Sequence, residues 1–337
     1  MSTKVLSRLD LEKVLEMPKV IEGVESVYKL KAEGKTVVWP LVSYDFKDYG
    51  AVMDIRSGCV FGENLHGLKM LNNFPRNKDK GLPPFNGMLM IFDSTTGMPL
   101  GVMDAAYITC MRTGAAGAIG AKFLANPESR NLFILGAGKQ AIYQIAATLI
   151  LFPKIEKVYV ADALDYENSV KFAANCKELL SNDFDIDCEK VEFIAVDEMA
   201  NAVSDSDIII TITPARSPVI KAAWVTPGTH FSCIGADMEG KEELEPEIFK
   251  NARVYADDKL QCINVGEMEL PIKNRIISEN DVVGEIGQVI NGEITGRKTK
   301  EDITIFDATG LALLDLVTGK KAIDLSKEKK LGLEANI

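Results

Sequence analysis

The residues best equipped for chemistry fall in three places. The first is Asn131 to Thr148, NLFILGAGKQAIYQIAAT. An apolar run from Leu132 to Leu135 meets Gly136-Ala-Gly138, and after Lys139 and Gln140 the apolar residues recur at helical spacing, so the stretch reads as strand, tight glycine turn and helix. Such a turn lets backbone N–H groups at a helix start approach a pyrophosphate. The next strand-like run, Lys157 to Ala161, delivers Asp162, whose carboxylate is placed to accept from a ribose 2′-OH and so favours NAD over NADP. The second place is Asp237, which closes the run THFSCIGAD. A carboxylate beyond a strand lies where such sheets place ligands or can cap a following helix; the residues leave both open. Thr211 and Thr213, at the end of DIIITIT, are likewise open between ligand contact and strand-end hydrogen bonding. The third place pairs Lys69, in HGLKMLNNFPRN, with Arg112. Two fixed cations can hold a carboxylate in one orientation, although an isolated lysine is ordinarily a surface residue.

The elements that must carry these residues change character along the chain. Leu6 to Lys31 reads as helix, with Ser7 as a candidate N-cap and an interruption at Pro18. Thr36–Leu41, Gly50–Ile55, Leu65–Asn72, Gly87–Phe92 and Pro99–Met103 read as strands, the last two joined by a turn at Asp93–Gly97. Tyr107–Ala125 is a helix so rich in Gly and Ala that something must approach it closely; Asn126-Pro127 ends it. From Asn131 the rhythm becomes strand, helix, strand. Helices over Tyr166–Leu180 and Met199–Val203 alternate with strands at Val191–Ala195, Asp207–Thr211, Thr229–Ile234, Ala252–Ala256 and Ile303–Phe306. That alternation is the pattern of a doubly wound parallel sheet. A terminal helix begins over Gly310–Leu316 and is expected to return to the first domain.

Several function classes are excluded by the rest of the chain. A net charge of -11 over 337 residues argues against nucleic acid or an anionic membrane as the main partner. The charged opening MSTKVLSRLDLEKVLEM lacks a signal-peptide core, and no apolar run is long enough to span a bilayer, so a cytoplasmic location is expected. The six cysteines form no C-x-x-C pair, so no zinc site or disulfide framework is implied. With only His66 and His230 present, a hydrolase built on histidine is poorly supported, and His230 in PGTH reads as structural. No metal is expected.

Taken together, Arg112-Thr113-Gly-Ala-Ala, the glycine turn with Gln140, Thr213-Pro214-Ala-Arg-Ser217-Pro218, Pro227-Gly-Thr-His230, Gly235-Ala-Asp237 with Lys241 and Glu243-Leu244, and Phe306-Asp-Ala-Thr-Gly310 resemble the ornithine cyclodeaminase/mu-crystallin family. The elements fall in the family's order over roughly residues 36 to 316. The resemblance implies a homodimer in which residues 1–118 with 312–337 form an α+β substrate-binding and dimerisation domain and 119–311 form an NAD-binding Rossmann domain. It implies chemistry at the α-carbon of an amino or imino acid, with Asp237 as catalytic acid/base, Lys69 touching substrate, and Arg112 beside both substrate and cofactor. Thr113, Gly136, Gly138, Lys139, Gln140, Asp162, Thr211, Thr213, Phe231, Ser232, Cys233, Ile234, Lys241 and Thr309 are the implied cofactor-binding set, with Gly310 at the substrate.

The sequence departs from the family at Trp39-Pro40-Leu41-Val42-Ser43, where many members place an arginine that grips the substrate carboxylate. Arg56 and Arg76 are the candidate substitutes. Asp54 stands where a proline commonly follows methionine, and Ser57–Asn64 reads as a lengthened loop. The expected activity is therefore an NAD(H)-dependent amino-acid dehydrogenase or imine reductase. A cyclodeaminase that uses NAD catalytically to form a cyclic amino acid, and a non-enzymatic crystallin-like binding protein, are the alternatives.

Overall fold

The computed structural model describes residues 2–336. Along the chain, β1 (Thr3–Leu6), α1 (Arg8–Val14) and α2 (Met17–Ala32) lead into β2 (Thr36–Val38), β3 (Val42–Phe46), β4 (Ala51–Val60), β5 (Leu65–Asn73), β6 (Phe85–Asp93), β7 (Pro99–Asp104) and α3 (Ala105–Leu124). Next come β8 (Asn131–Leu135), α4 (Ala141–Leu151), β9 (Lys157–Ala161), α5 (Tyr166–Phe184), β10 (Glu192–Ala195), α6 (Met199–Ser204), β11 (Ile208–Thr211), β12 (Arg216–Ile220), β13 (His230–Cys233) and β14 (Glu242–Leu244). The chain ends through β15 (Ala252–Ala256), α7 (Lys259–Val265), α8 (Glu269–Lys273), β16 (Val282–Glu285), α9 (Ile286–Ile290), β17 (Ile303–Asp307), α10 (Ala312–Glu328) and β18 (Leu333–Ala335). Two compact units result, 1–112 with 311–337 and 113–310, the division falling within α3.

The first unit is built on an eight-stranded sheet ordered β18-β1-β7-β6-β5-β4-β2, with β3 added to β4. Apart from the parallel β1–β7 pair, its ladders are antiparallel. α10 lies across β4, β5 and β6 and packs on α2. Gly67 on β5 makes that approach possible, because a Cβ there would stand 2.7 Å from a methyl of Leu316. Ser7 caps α1 through a reciprocal pair with Asp10. Pro18, however, does not interrupt a helix. It lies in the first turn of α2, where a missing N–H costs nothing, and the break falls at Leu15-Glu16. The expected loop Ser57–Asn64 is also corrected. β4 runs on to Val60 and stays paired with β5, and a one-turn helix at Phe61–Glu63 closes the hairpin.

The second unit holds an all-parallel eight-stranded sheet ordered β10-β9-β8-β11-β13-β17-β15-β16. From β8 the chain builds outward through β9 and β10, then crosses back to β11 on the other side of β8, which is the order of a Rossmann-type domain. The crevice at that reversal opens at the carboxyl ends of β8 and β11, where such sheets bind ligands. Phe133, Ile209, Phe231, Val254 and Ile305, one from each of five strands, form a continuous core with essentially no exposure.

Candidate active site

Lys69 sits mid-way along β5, and because side chains alternate across a strand it points to the face covered by α10. There its Nζ donates to Asp315 Oδ2 at 2.7 Å and to Thr109 Oγ1 at 3.2 Å. Arg112 Nε donates to the other carboxylate oxygen of Asp315 at 3.1 Å. Lys69 and Asp315 are essentially inaccessible and Arg112 nearly so. Arg56 is the direct cross-strand partner of Lys69. Arg76 instead lies exposed in a turn, bonded to the Asp48 carbonyl, so of the two candidate substitutes only Arg56 belongs to this group.

Burial drives the Lys69 ammonium down to about 7; Asp315 pulls it upward, while Arg112 and Arg56 push it lower. Burial also opposes ionisation of Asp315, yet the Arg112 and Lys69 charges hold its carboxyl below the ordinary carboxylate range. Two cations flank one fixed anion, and the third N–H of Lys69 has no bond to the described residues. Such a cluster has the chemistry to take a carboxylate.

Asp315 and Thr109 were not among the residues singled out from sequence. The available signal was a lone charge inside the apolar helical run LALLDLVTG, a position where an unpaired aspartate would be costly.

In the second unit, β8 ends at a turn in which Gly136 adopts φ 115°, a conformation reserved for glycine. A Cβ on Gly138 would meet nothing within 4 Å, so the backbone before α4 faces open space where a diphosphate can approach. Lys139 is exposed beside it and Gln140 is the N-cap residue of α4. Asp162 follows the last residue of β9. Its carboxylate accepts from Leu164 N at 3.0 Å and Asn168 Nδ2 at 2.8 Å, and Asn168 reaches the Ala137 carbonyl at 3.3 Å. One side chain thereby ties the acid loop to the glycine turn. The Thr113 carbonyl accepts from Gln144 Nε2 at 2.9 Å, anchoring α3 to α4. These residues fit a dinucleotide: open backbone at a helix start, and a fixed acid at the tip of the neighbouring strand.

Asp237 lies in the turn after β13 and is partly exposed; its Oδ1 accepts from Lys241 Nζ at 2.6 Å, and Lys241 also donates to the Gly235 carbonyl at 3.2 Å. No helix follows it, for β14 is the next element. The helix-cap alternative is therefore removed, and an accessible carboxylate paired to a half-buried lysine remains.

Phe231, Ser232 and Cys233 belong to the strand that leads to Asp237. They lie within β13, a central strand covered on both faces, and are sealed in the interior. Ser232 Oγ donates to the Gly117 carbonyl at 2.8 Å. Only Ile234 and the turn beyond it reach the strand's carboxyl edge. Thr211, the last residue of β11, is also buried. Thr309 and Gly310 form the turn after β17, their N–H groups accepted by the Asp257 carboxylate at 3.3 and 2.8 Å. His230 is structural: buried, bonded to Thr304 and Ser232, and kept neutral by burial. No group of His, Cys, Asp and Glu able to hold a metal occurs among the described residues.

Comparison with known proteins identifies the family. The model of the ornithine cyclodeaminase/mu-crystallin family matches residues 1–330. This chain belongs to that family. An archaeal alanine dehydrogenase dimer with bound NAD superposes with a TM-score of 0.90 at 35% identity, covering 100% of both chains. The Thermococcus litoralis Δ1-pyrroline-2-carboxylate reductase, in complex with NADH and L-proline, gives 0.90 at 31% identity over 99% of this chain and 100% of its own. The Paracoccus denitrificans iminosuccinate reductase in complex with NAD+ gives 0.92 at 28% identity, covering 100% of both.

Proposed function

We propose that this protein is an NAD(H)-dependent oxidoreductase acting at the α-carbon of an amino or imino acid. The observation that carries the reading is the buried Lys69–Asp315–Arg112 cluster. It sets Arg112 and Lys69, the latter held near neutrality, around one fixed anion with an N–H of Lys69 uncommitted inside the first unit, which is the recognition chemistry of an α-carboxylate. Arg56, opposite Lys69, adds a second guanidinium and takes the part of the arginine missing from Trp39–Ser43. NAD, when bound, supplies the hydride acceptor or donor. The glycine turn and the start of α4 hold its diphosphate, and Asp162 takes its ribose hydroxyls. Asp237 exchanges the proton that the amine loses or gains, with Lys241 fixing the orientation of its carboxylate. The named relatives, which act on alanine, a pyrroline carboxylate and iminosuccinate, support the oxidoreductase outcome.

The working unit is a homodimer. Val42, Ile55, Met70 and Met88 stand in one cross-strand row of the first sheet, on the face away from α10, and Val42, Met70 and Met88 are exposed. A second copy covers that face. Among the described residues no helix is long and apolar enough to cross a membrane, and none of the six cysteines is in a disulfide.

The test is direct. Purified protein is given NADH with 2-oxo acids plus ammonium, or with cyclic imino acids, and NAD with a panel of amino acids. Consumption or formation of NADH supports the reading, and ammonia release without net NADH selects the cyclodeaminase outcome. Asp237→Asn is expected to lower turnover by about a hundredfold or more while NADH binding persists. An unchanged rate removes Asp237 from the mechanism, and no hydride transfer in either direction refutes the reading.

A further inference from the structure

Behind Asp237 lies a pair of buried carboxylates that the chemistry above leaves unused. Glu243, on β14, has no exposure, yet among the described residues no cation pairs with it. Its Oε1 accepts from both the backbone N–H and the hydroxyl of Thr213 at 2.7 Å, and its Oε2 accepts from Gly235 N at 3.2 Å. Thr213 stands just past the carboxyl end of β11, and Gly235 just past that of β13, the neighbouring strand. A Cβ on Gly235 would overlap the Glu243 carboxyl group, 2.7 Å from its carbon. One side chain therefore bridges the two turns that leave adjacent strands at the ligand edge of the sheet, and the second of those turns carries Asp237.

Glu243 is itself held. The fully buried Glu267 accepts from Glu243 N at 2.8 Å and from Leu244 N at 2.6 Å. The next residue, Met268, donates its N–H at 2.9 Å to Asp307 at the end of β17. The staples thus continue across the sheet edge, from β17 to the β11 and β13 turns. Burial pushes the carboxyls of both Glu243 and Glu267 upward. A cost of that kind is retained where geometry needs it. Three donors converge on two oxygens, and an amide, with a single acceptor oxygen, cannot receive them all.

We propose that Glu243 is a positioning residue for hydride transfer, clamping the Thr213 turn and the Gly235–Asp237 turn in one fixed relation, with Glu267 orienting the clamp. The proposal rests on the reading of Asp237 as acid/base. Its test uses Glu243→Gln, nearly the same in shape but unable to accept on both sides. Turnover should fall by about 10- to 100-fold, with the substrate KM within about threefold. The primary isotope effect from NADH deuterated at the transferred position should rise, because the hydride step itself has slowed. The emission of bound NADH, read without any substrate, should change as the nicotinamide surroundings loosen. A merely structural role would lower the melting temperature and leave the isotope effect and emission of the folded protein as they were. If Glu243→Gln does not fold, Thr213→Val removes one of the three donors and should give the same signature at about several-fold smaller amplitude. Wild-type turnover, isotope effect and NADH emission in whichever variant folds overturn the clamp. Asp237→Asn run in parallel separates the two ideas. Full activity there refutes the acid/base role, whereas a slow Asp237→Asn beside a wild-type Glu243→Gln refutes the clamp alone.

Discussion

The ion cluster of the first unit makes a quantitative prediction through Lys69. In the folded protein burial brings this ammonium down from 10.5 to about 7; in the unfolded chain it keeps its ordinary value. From about pH 7 to about pH 9 the unfolded lysine holds its proton while the folded one has lost it, so unfolding takes up a proton and stability rises with pH. The slope is about 1.4 kcal/mol per pH unit. Lys69→Met keeps the stem and deletes the titration. Relative to this variant, the wild-type first unit should therefore gain about 2–3 kcal/mol between about pH 7 and about pH 9. The other groups that titrate in this range are common to both proteins and cancel. The assay is urea unfolding followed by tryptophan emission in a Trp224→Phe background, where Trp39, the other of the two tryptophans, reports on the first unit alone. A wild-type minus Lys69→Met difference that is flat with pH, or that falls, refutes the assignment of a near-neutral buried lysine.

Two further outcomes follow from the same geometry. Asp162→Ser should weaken NADH binding by about tenfold or more, the loss of a charged hydrogen-bond acceptor, and narrow the preference over NADPH; fluorescence titration measures both, and wild-type protein that prefers NADPH contradicts the role given to Asp162. Met70→Glu with Met88→Glu places like charges on adjacent strands of the exposed apolar row, so light scattering should read half the wild-type mass, and an unchanged mass moves the dimer contact elsewhere.

What the sequence determined by itself is the local and periodic part. The run Leu132–Leu135 followed by Gly136-Ala-Gly138 specifies a strand and a turn that only glycine can make. Period-two and period-3.6 patterns then separate a mostly antiparallel first third from a parallel sheet. Asp162 and Asp237 could be placed at strand ends for the same reason, since each follows directly on an apolar run. Where apolar alternation was broken, as at Arg56-Ser57-Gly58, the strand was legible only once β5 had paired with it. Short strands such as β1 and the edge strand β18 carry too little pattern to be seen.

Only the tertiary structure could decide which groups share a charge. Lys69 and Asp315 are separated by 246 positions, yet lie 2.7 Å apart because α10 settles on the sheet over Gly67. Glu243 reads in sequence as one acid among many, and becomes a clamp because β11 and β13 are neighbours in space. The sealing of Phe231–Cys233 has the same origin: burial is a property of the strand's place in the sheet, which no single segment encodes. Hydrogen-bond and backbone preferences act over a few residues and are written locally. Desolvation and electrostatic pairing act through space, so the chemistry of Lys69 exists only in the folded chain.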